Sequence, residues 1–282
     1  MINLKKKNNK ITVLITGVDG FLGSHIFKFL KKKKINCIGV SKKRYKKDII
    51  KWNLIKKKKI NFQHPVDFII HAASIHKLSD FKKNPILKQK YNEKMTKNLL
   101  LLSKSKKIKN FIFFSTIDIS YRNIFNKKKN YNLSKYNSEE FLKSGLKKGI
   151  ISKLIILRLP AIIHSKMSDN FLKKIIYSLK RNHKITIFNP NNHYINLVNI
   201  NDLAKLTFKI VKLSLKKSKT IINCVSNREF KLLQLVKFLK KKLNSNSVIK
   251  ADGKKILSTQ SVSNKNDYNF KFMKIKKNLS FI

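Results

Sequence analysis

The sequence predicts an α/β protein built on a doubly wound parallel sheet with a small C-terminal lobe, and three features carry that expectation. Short apolar runs such as Ile11 to Thr16, Ile35 to Val40 and Phe111 to Phe114 alternate too little for half-wet strands and read as strands buried on both faces. Amphipathic segments separate these runs, as crossover helices between parallel strands require. Finally, three of the chain's seven glycines, Gly17, Gly20 and Gly23, stand within seven consecutive positions directly after the first run.

That spacing answers a demand for close approach. A pyrophosphate on a helix N-terminus is held by unpaired backbone N–H groups and the positive end of the helix dipole, and a Cβ in the turn would hold it away. Gly17 lets the chain turn sharply, Gly20 brings backbone to the phosphates, and Gly23 lets the new helix pack against the strand. The helix is expected to start near Phe21, with Leu22 in its first turn and Ile26, Phe27, Phe29 and Leu30 as its apolar positions, and with Asp19, an awkward neighbour for an anion, as its cap. In this setting the turn predicts a Rossmann-like dinucleotide-binding fold, with Gly17, Gly20, Phe21, Leu22 and Gly23 against the cofactor.

The second strand ends at Ser41, where dinucleotide folds carry either an acid for the ribose hydroxyls or a neutral residue with basic groups for a 2′-phosphate. Ser41 with Lys42, Lys43 and Arg44 fits the second case, so NADP(H) is expected to bind at least as tightly as NAD(H). The third strand is expected within Ile49 to Leu54. The fourth, Asp67 to His71, is followed by Ala72 and Ala73, whose small side chains leave room for a ligand over the sheet edge. His71 reads as a packed strand-end histidine, because no second ligand stands at metal-binding spacing; no metal site is expected.

A helix follows from Pro85 to about Ser103, and the fifth strand ends in Ser115 and Thr116, hydroxyls at the end where open α/β sheets bind ligands. Tyr131 and Lys135 stand four apart on one face of the next helix, so the ammonium lies near the phenol and favours its ionised form. A phenol so tuned can serve as a general acid/base. A sixth strand, Leu154 to Leu159, ends at Pro160. Beyond it come helices at Phe171 to Leu179, Asn201 to about Lys212 and Phe230 to Leu243, short strands at Ile195 to Val198 and Thr220 to Val225, and a polar, poorly patterned tail.

Charge points elsewhere at first sight. With 66 Lys and Arg against 13 Asp and Glu the net charge is +53, which suggests a polyanion partner. The lysines are scattered over every helix and loop, and Lys, Asn and Ile are abundant together, as an A+T-rich coding sequence would make them. Composition bias is therefore the favoured reading, with nonspecific, salt-sensitive polyanion binding expected either way. Cys37 and Cys224 lie in apolar runs and read as buried reduced thiols of a cytoplasmic protein. Neither a membrane-spanning run nor a signal-peptide core is expected.

With these pieces in order, the chain resembles the extended short-chain dehydrogenase/reductases, the NAD-dependent epimerase/dehydratase family. Thr16-Gly17-x-x-Gly20-x-x-Gly23 resembles its cofactor turn, Asp67-x-x-x-His71-x-Ala73 its fourth-strand motif, Asn92 its helix asparagine, Thr116 its active hydroxyl and Tyr131/Lys135 its catalytic pair. Arg158-Leu159-Pro160 and Asn201-Asp202-Leu203-Ala204 extend the match. The resemblance implies NAD or NADP as cofactor, a nucleotide-sugar substrate, a possible homodimer and a role in surface-polysaccharide synthesis. It makes Tyr131 the acid/base, has Lys135 bind the nicotinamide ribose, and has Thr116 hold the reacting oxygen. Pro160 would lie beside the nicotinamide, and Asn53 and Leu54 near the adenine. Residues 1–160 with 195–225 would form the dinucleotide domain, and 161–194 with 226–282 the substrate lobe. Dehydratases of the family place Asp-Glu after the active threonine; Ile117-Asp118 here favours epimerisation or keto reduction. Alternatives are a reductase of a non-nucleotide carbonyl compound and a catalytically silent member that binds nucleic acid.

Overall fold

The computed structural model describes residues 11–43, 45–57, 60–62, 65–76, 81, 83–121, 129–164, 171–213, 217–226, 230–252, 263, 265–275 and 279. Two compact units divide the chain: Met1–Ser115, Phe125–Ile156 and Leu206–Thr220 form the first, and Thr116–Ile124, Leu157–Lys205 and Ile221–Ile282 the second.

A seven-stranded sheet organises the fold. Its strands are β1 (Thr12–Thr16), β2 (Asn36–Ser41), β3 (Ile49–Lys51), β4 (Phe68–His71), β5 (Asn110–Thr116), β6 (Lys153–Leu159) and β10 (Lys219–Asn223), in the order β10-β6-β5-β4-β1-β2-β3. The strand order reverses at β1, with β2 and β3 to one side and β4 and β5 to the other, and β1 runs parallel to both neighbours. Open α/β sheets bind ligands at the carboxyl ends of strands beside such a reversal. The register sets Thr16, the end of β1, opposite Val40 and His71, within one residue of the ends of β2 and β4, while β5, whose Phe113 stands opposite His71, runs three residues further to Thr116.

Every residue of β1 is buried, which explains its uninterrupted apolar reading. One sheet face packs Leu14, Ile69, Phe111 and Ile156 against Met95, Leu99 and Leu102 of α2 (Pro85–Lys106) and Leu142 of α3 (Lys129–Lys147). Helix α1 (Phe21–Lys32) buries Ile26 and Leu30, and its Phe29 ring meets Phe208 of α5 (Ile200–Lys212) edge-on at 6.5 Å. Burying Ile26 and Leu30 stabilises α1 by about 1.5–3 kcal/mol per side chain.

The third strand is shorter than its apolar run. It stops at Lys51 because the chain then turns: Trp52 Nε1 donates to Lys56 O at 2.8 Å, and Leu54 folds into the core.

The second unit has its own core, in which Leu172, Ile175, Ile176 and Leu179 of α4 (Phe171–Lys180) meet Leu235, Val236 and Leu239 of α6 (Leu232–Lys242). Two parallel strand pairs flank it, β7 (Ala161–Ile163) with β9 (Leu197–Asn199) and β8 (Ile185–Phe188) with β11 (Ile249–Asp252). The unpatterned tail contributes too: Ile275 and Leu279 are buried in this core, and Met273 N–H donates to Asp202 Oδ2 at 2.6 Å. Burial raises the Asp202 carboxyl, although that backbone bond and Lys205 pull it back. Cys37 and Cys224 are free and buried, and burial pushes both thiols up.

Candidate active site

The glycine turn is as tight as its spacing demands. Gly17 has φ +73°, where L side chains are strained, and a Cβ there would lie 2.7 Å from Ala73 N. At Gly23 a Cβ would lie 2.3 Å from Gly17 O, so strand and helix touch only because both residues lack side chains. Gly20 is the N-cap of α1, and its missing Cβ would meet only Gly17 O at 3.2 Å, leaving its outer side open. No side chain caps the helix. The result is a cradle of backbone N–H groups that fits a phosphate and that side chains would fill. Phe21 is exposed and Leu22 half-buried at its rim. Gly23→Ala is expected to cost about 1–3 kcal/mol by overpacking; urea denaturation showing wild-type stability would disprove the close approach.

Asp19 is not the expected cap. Its Oδ2 accepts from Ser41 Oγ at 2.5 Å, while Ser41 Oγ accepts from Lys43 N–H at 3.0 Å. The carboxylate thus bonds the hydroxyl at the end of β2 and makes no cap on the helix. Lys42 is exposed, and Arg44 lies outside the described residues.

A buried polar network ties the next strand ends together. His71 Nδ1 lies 2.8 Å from Thr16 Oγ1, which also accepts from Ala73 N–H at 3.1 Å. On the other side His71 Nε2 lies 3.3 Å from Thr96 Oγ1, which donates to Ser138 Oγ at 3.1 Å. Burial, with repulsion from Lys135, pushes the imidazole down to about 3. Unfolded histidine takes up a proton near pH 6.5 that the folded one refuses until about 3, so His71 stabilises the fold above this window and the contribution is lost as pH falls through it. Asn92 clamps the segment holding half-buried Ala72 and Ala73: it accepts from Ile75 N–H at 2.8 Å and donates to Ile75 O at 3.0 Å and Ser134 Oγ at 3.2 Å.

Tyr131 and Lys135 share one face of α3, as their spacing requires. The phenol ring is half-buried and meets Phe81 edge-on at 6.0 Å. Lys135 is buried; its Nζ donates to Phe114 O at 2.9 Å and lies 4.9 Å from the Phe113 ring centroid and 5.9 Å from that of Tyr131. Desolvation pulls the ammonium from 10.5 down to about 7, and the negative charge of Glu139 opposes the fall.

Glu139 is the residue that sequence reasoning missed. It is fully buried one helical turn beyond Lys135, accepts from Ser115 Oγ at 2.6 Å, and has Lys143 Nζ 3.8 Å away. A signal was present: the chain has only 13 acids, and one of them falls four positions after the lysine on its apolar face. The two hydroxyls ending β5 thus divide. Ser115 turns to α3, whereas the buried Thr116 hydroxyl accepts from Asp118 N–H at 3.4 Å. Beside Tyr131, Asn132 is buried and its Oδ1 has no hydrogen-bond partner among the described residues.

The carboxyl ends of β1, β2 and β4, the first turn of α1 and the first two turns of α3, all in the first unit, therefore carry Gly17, Gly20, Gly23, Ser41, Ala73, Tyr131 and Lys135. Asn53 Oδ1 accepts from Ile55 N–H at 3.3 Å within its own turn, and the Leu54 side chain is core, its carbonyl taking Asn98 Nδ2 at 2.7 Å. Thr116 and Pro160 belong to the second unit. There half-buried Pro160 joins β6 to β7, and Arg158 Nη1 donates to Ser120 Oγ at 3.1 Å.

The model of the NAD dependent epimerase/dehydratase family matches residues 13–224. Among solved structures, the chain is similar to a UDP-N-acetylglucosamine 4-epimerase from Methanobrevibacter ruminantium in complex with UDP-N-acetylmuramic acid, at 18% identity and a TM-score of 0.70, covering 96% of each chain. It is also similar to a UDP-glucose 4-epimerase from Thermotoga maritima with UDP-glucose, at 16% identity and a TM-score of 0.69, covering 93% of this chain and 94% of that one. A UDP-glucuronic acid 4-epimerase from Bacillus cereus in complex with NAD gives 19% identity and a TM-score of 0.67, covering 86% of each. No curated protein sequence matches. Among the described residues no helix is long and apolar enough to cross a membrane.

Proposed function

The chain belongs to the NAD dependent epimerase/dehydratase family, and from that premise we propose that it epimerises a nucleotide-activated sugar by transient oxidation and reduction at one carbon. The observation that carries the proposal is the Tyr131/Lys135 pair on α3, with Lys135 buried against the end of β5 and a buried acid one turn beyond it. The glycine turn would hold the pyrophosphate of a nicotinamide dinucleotide, which supplies the hydride acceptor and donor. Tyr131 would take the proton of the sugar hydroxyl as hydride leaves the same carbon, and return it when hydride comes back to the opposite face of that carbon after the sugar has turned over. A phenol has a pKa of ~10 in water, and the neighbouring ammonium of Lys135 favours its ionised form. Lys135 would bind the nicotinamide ribose, and the Thr116 hydroxyl would hydrogen-bond the reacting oxygen. Beside Tyr131, the open acceptor Asn132 Oδ1 suits a ligand N–H or O–H donor.

Epimerisation needs no acid and base beyond Tyr131, which agrees with the single carboxylate, Asp118, after Thr116. The 4-epimerases with a similar fold make UDP-sugars the first substrates to try. Incubated with UDP-glucose, UDP-N-acetylglucosamine and UDP-glucuronic acid and a trace of dinucleotide, the protein is expected to form a 4-epimer from at least one, without stoichiometric reductant and with little loss in Asp118→Asn. Product formation only with stoichiometric NAD(P)H would make it a reductase. A 4-keto-6-deoxy product that Asp118→Asn abolishes would make it a dehydratase.

A further inference from the structure

We propose that Asn132 is a substrate-binding residue, its Oδ1 accepting a hydrogen bond from the sugar hydroxyl next to the one that Tyr131 deprotonates. The inference rests on the role proposed above for Tyr131. Asn132 is buried, and its Oδ1 is the one buried side-chain polar atom without a hydrogen-bond partner among the described residues. Its buried polar neighbours on the two helices are paired: Asn92 with Ile75 and Ser134, and Thr96 with Ser138. An acceptor left unpaired in the interior weakens the fold, and native proteins keep few of them, so this one calls for a donor from outside the chain.

Position on the helix points to the sugar rather than the dinucleotide. Ser134 and Ser138 turn to α2, where they accept from Asn92 Nδ2 at 3.2 Å and Thr96 Oγ1 at 3.1 Å. That is the side of the glycine turn, because Thr96 meets His71, and His71 meets Thr16, the residue before Gly17. Asn132 stands seven positions before Glu139, two helical turns, and so shares the stripe of α3 that faces β5, where Glu139 accepts from Ser115 Oγ. Its level follows as well. Helix α3 runs against β5, since Ser152 N–H, beyond the helix end, donates to Lys109 O, just before the strand. Two turns back from Glu139 is about 10 Å, which carries Asn132 past Ser115 to the end where open α/β sheets bind ligands. In a 4-epimerisation the carbons beside the reacting one are C3, which bears a donor, and C5, which bears no hydroxyl. The 3-hydroxyl keeps its proton throughout, and a neutral amide accepts from it without competing with Tyr131 as a base.

The test compares wild type with Asn132→Leu, which keeps the shape and loses the acceptor, on the UDP-sugar that the assay above identifies and on its 3-deoxy analogue. Wild type is expected to lose about tenfold in kcat/KM between sugar and analogue. The variant is expected to lose about tenfold on the parent sugar, through KM, and less than about twofold on the analogue, since the two changes remove the same bond. By calorimetry it should bind NADH within about twofold of wild type, and it should melt about 2 °C or more higher, because apolar surface replaces an unpaired acceptor. Asn132→Ala serves the kinetic comparison if the Leu variant does not fold. Unchanged kcat/KM, equal losses on both sugars, or a loss confined to NADH affinity overturns the proposal. A wild type that binds NADH but turns over none of the UDP-sugars overturns the proposed function, and this inference falls with it.

Discussion

Replacing Tyr131 by Phe is expected to lower turnover by about 10²- to 10⁴-fold, the range that positioned acid–base groups contribute, while dinucleotide binding stays within a few-fold of wild type. The substitution removes one oxygen and leaves the ring, whose edge-on contact with Phe81 holds it in place. Lys135 keeps its bond to Phe114 O, so its placement survives. Steady-state rates on the substrate identified above, with calorimetry for the cofactor, check both halves. A variant that retains more than a tenth of the rate would take Tyr131 out of the proton transfer.

The second large effect is expected at Glu139. Glu139→Leu leaves the buried Ser115 hydroxyl without its acceptor, a loss of about 1–3 kcal/mol, and removes the charge that favours the Lys135 ammonium, less whatever Lys135 recovers by shedding its proton. Lys135 titrates near 7 in the fold and at 10.5 when free, so between those values the unfolded chain holds a proton that the folded one has released. Stability therefore rises with pH across that window, and the penalty for burying the ammonium is fully present below it. Without the charge of Glu139 the folded value drops further, so the deficit of Glu139→Leu is expected to be larger at pH 6 than at pH 9. Glu139→Gln keeps an acceptor for Ser115 but not the charge, and should show the same pH signature with a smaller packing loss. The other charged groups around this pair are His71, which titrates well below the window, and Lys143, partly exposed at 3.8 Å. Thermal melts from pH 6 to 9 on the three proteins measure the effect; a deficit independent of pH would show that Glu139 matters only for packing.

Local demands were legible in the sequence and distant pairings were not. Gly17 and Gly23 announce themselves because only glycine tolerates their geometry, and β1 because both its faces are buried. Tyr131 and Lys135 are readable because helical spacing alone puts them on one face. By contrast, the bond between Asp19 and Ser41 depends on how a turn meets a neighbouring strand, and nothing local to either residue encodes it. The strands β8 and β11 are four residues each and find one another across more than sixty positions, too short and too far apart for any periodic signal. Ile275 and Leu279 fill the second core from a stretch whose pattern is neither helical nor alternating over any length.

The matched ends of β1, β2 and β4 have an evolutionary consequence. Because Thr16, Val40 and His71 stand side by side across three neighbouring strands, the loops above them spring from a common ledge whose height is set by strand register below. A one-residue slip in any of these strands would exchange the side chains packed on its two covered faces, so the ledge resists drift. Beyond the glycine turn after β1 and the Ala72–Ala73 segment packed on it, the loops leaving the sheet face no such constraint, and their length and sequence can vary without disturbing it. Grafting onto this ledge the substrate loop of another sugar-nucleotide enzyme is thus a route to altered specificity that leaves the glycine turn and the Tyr131/Lys135 pair in place.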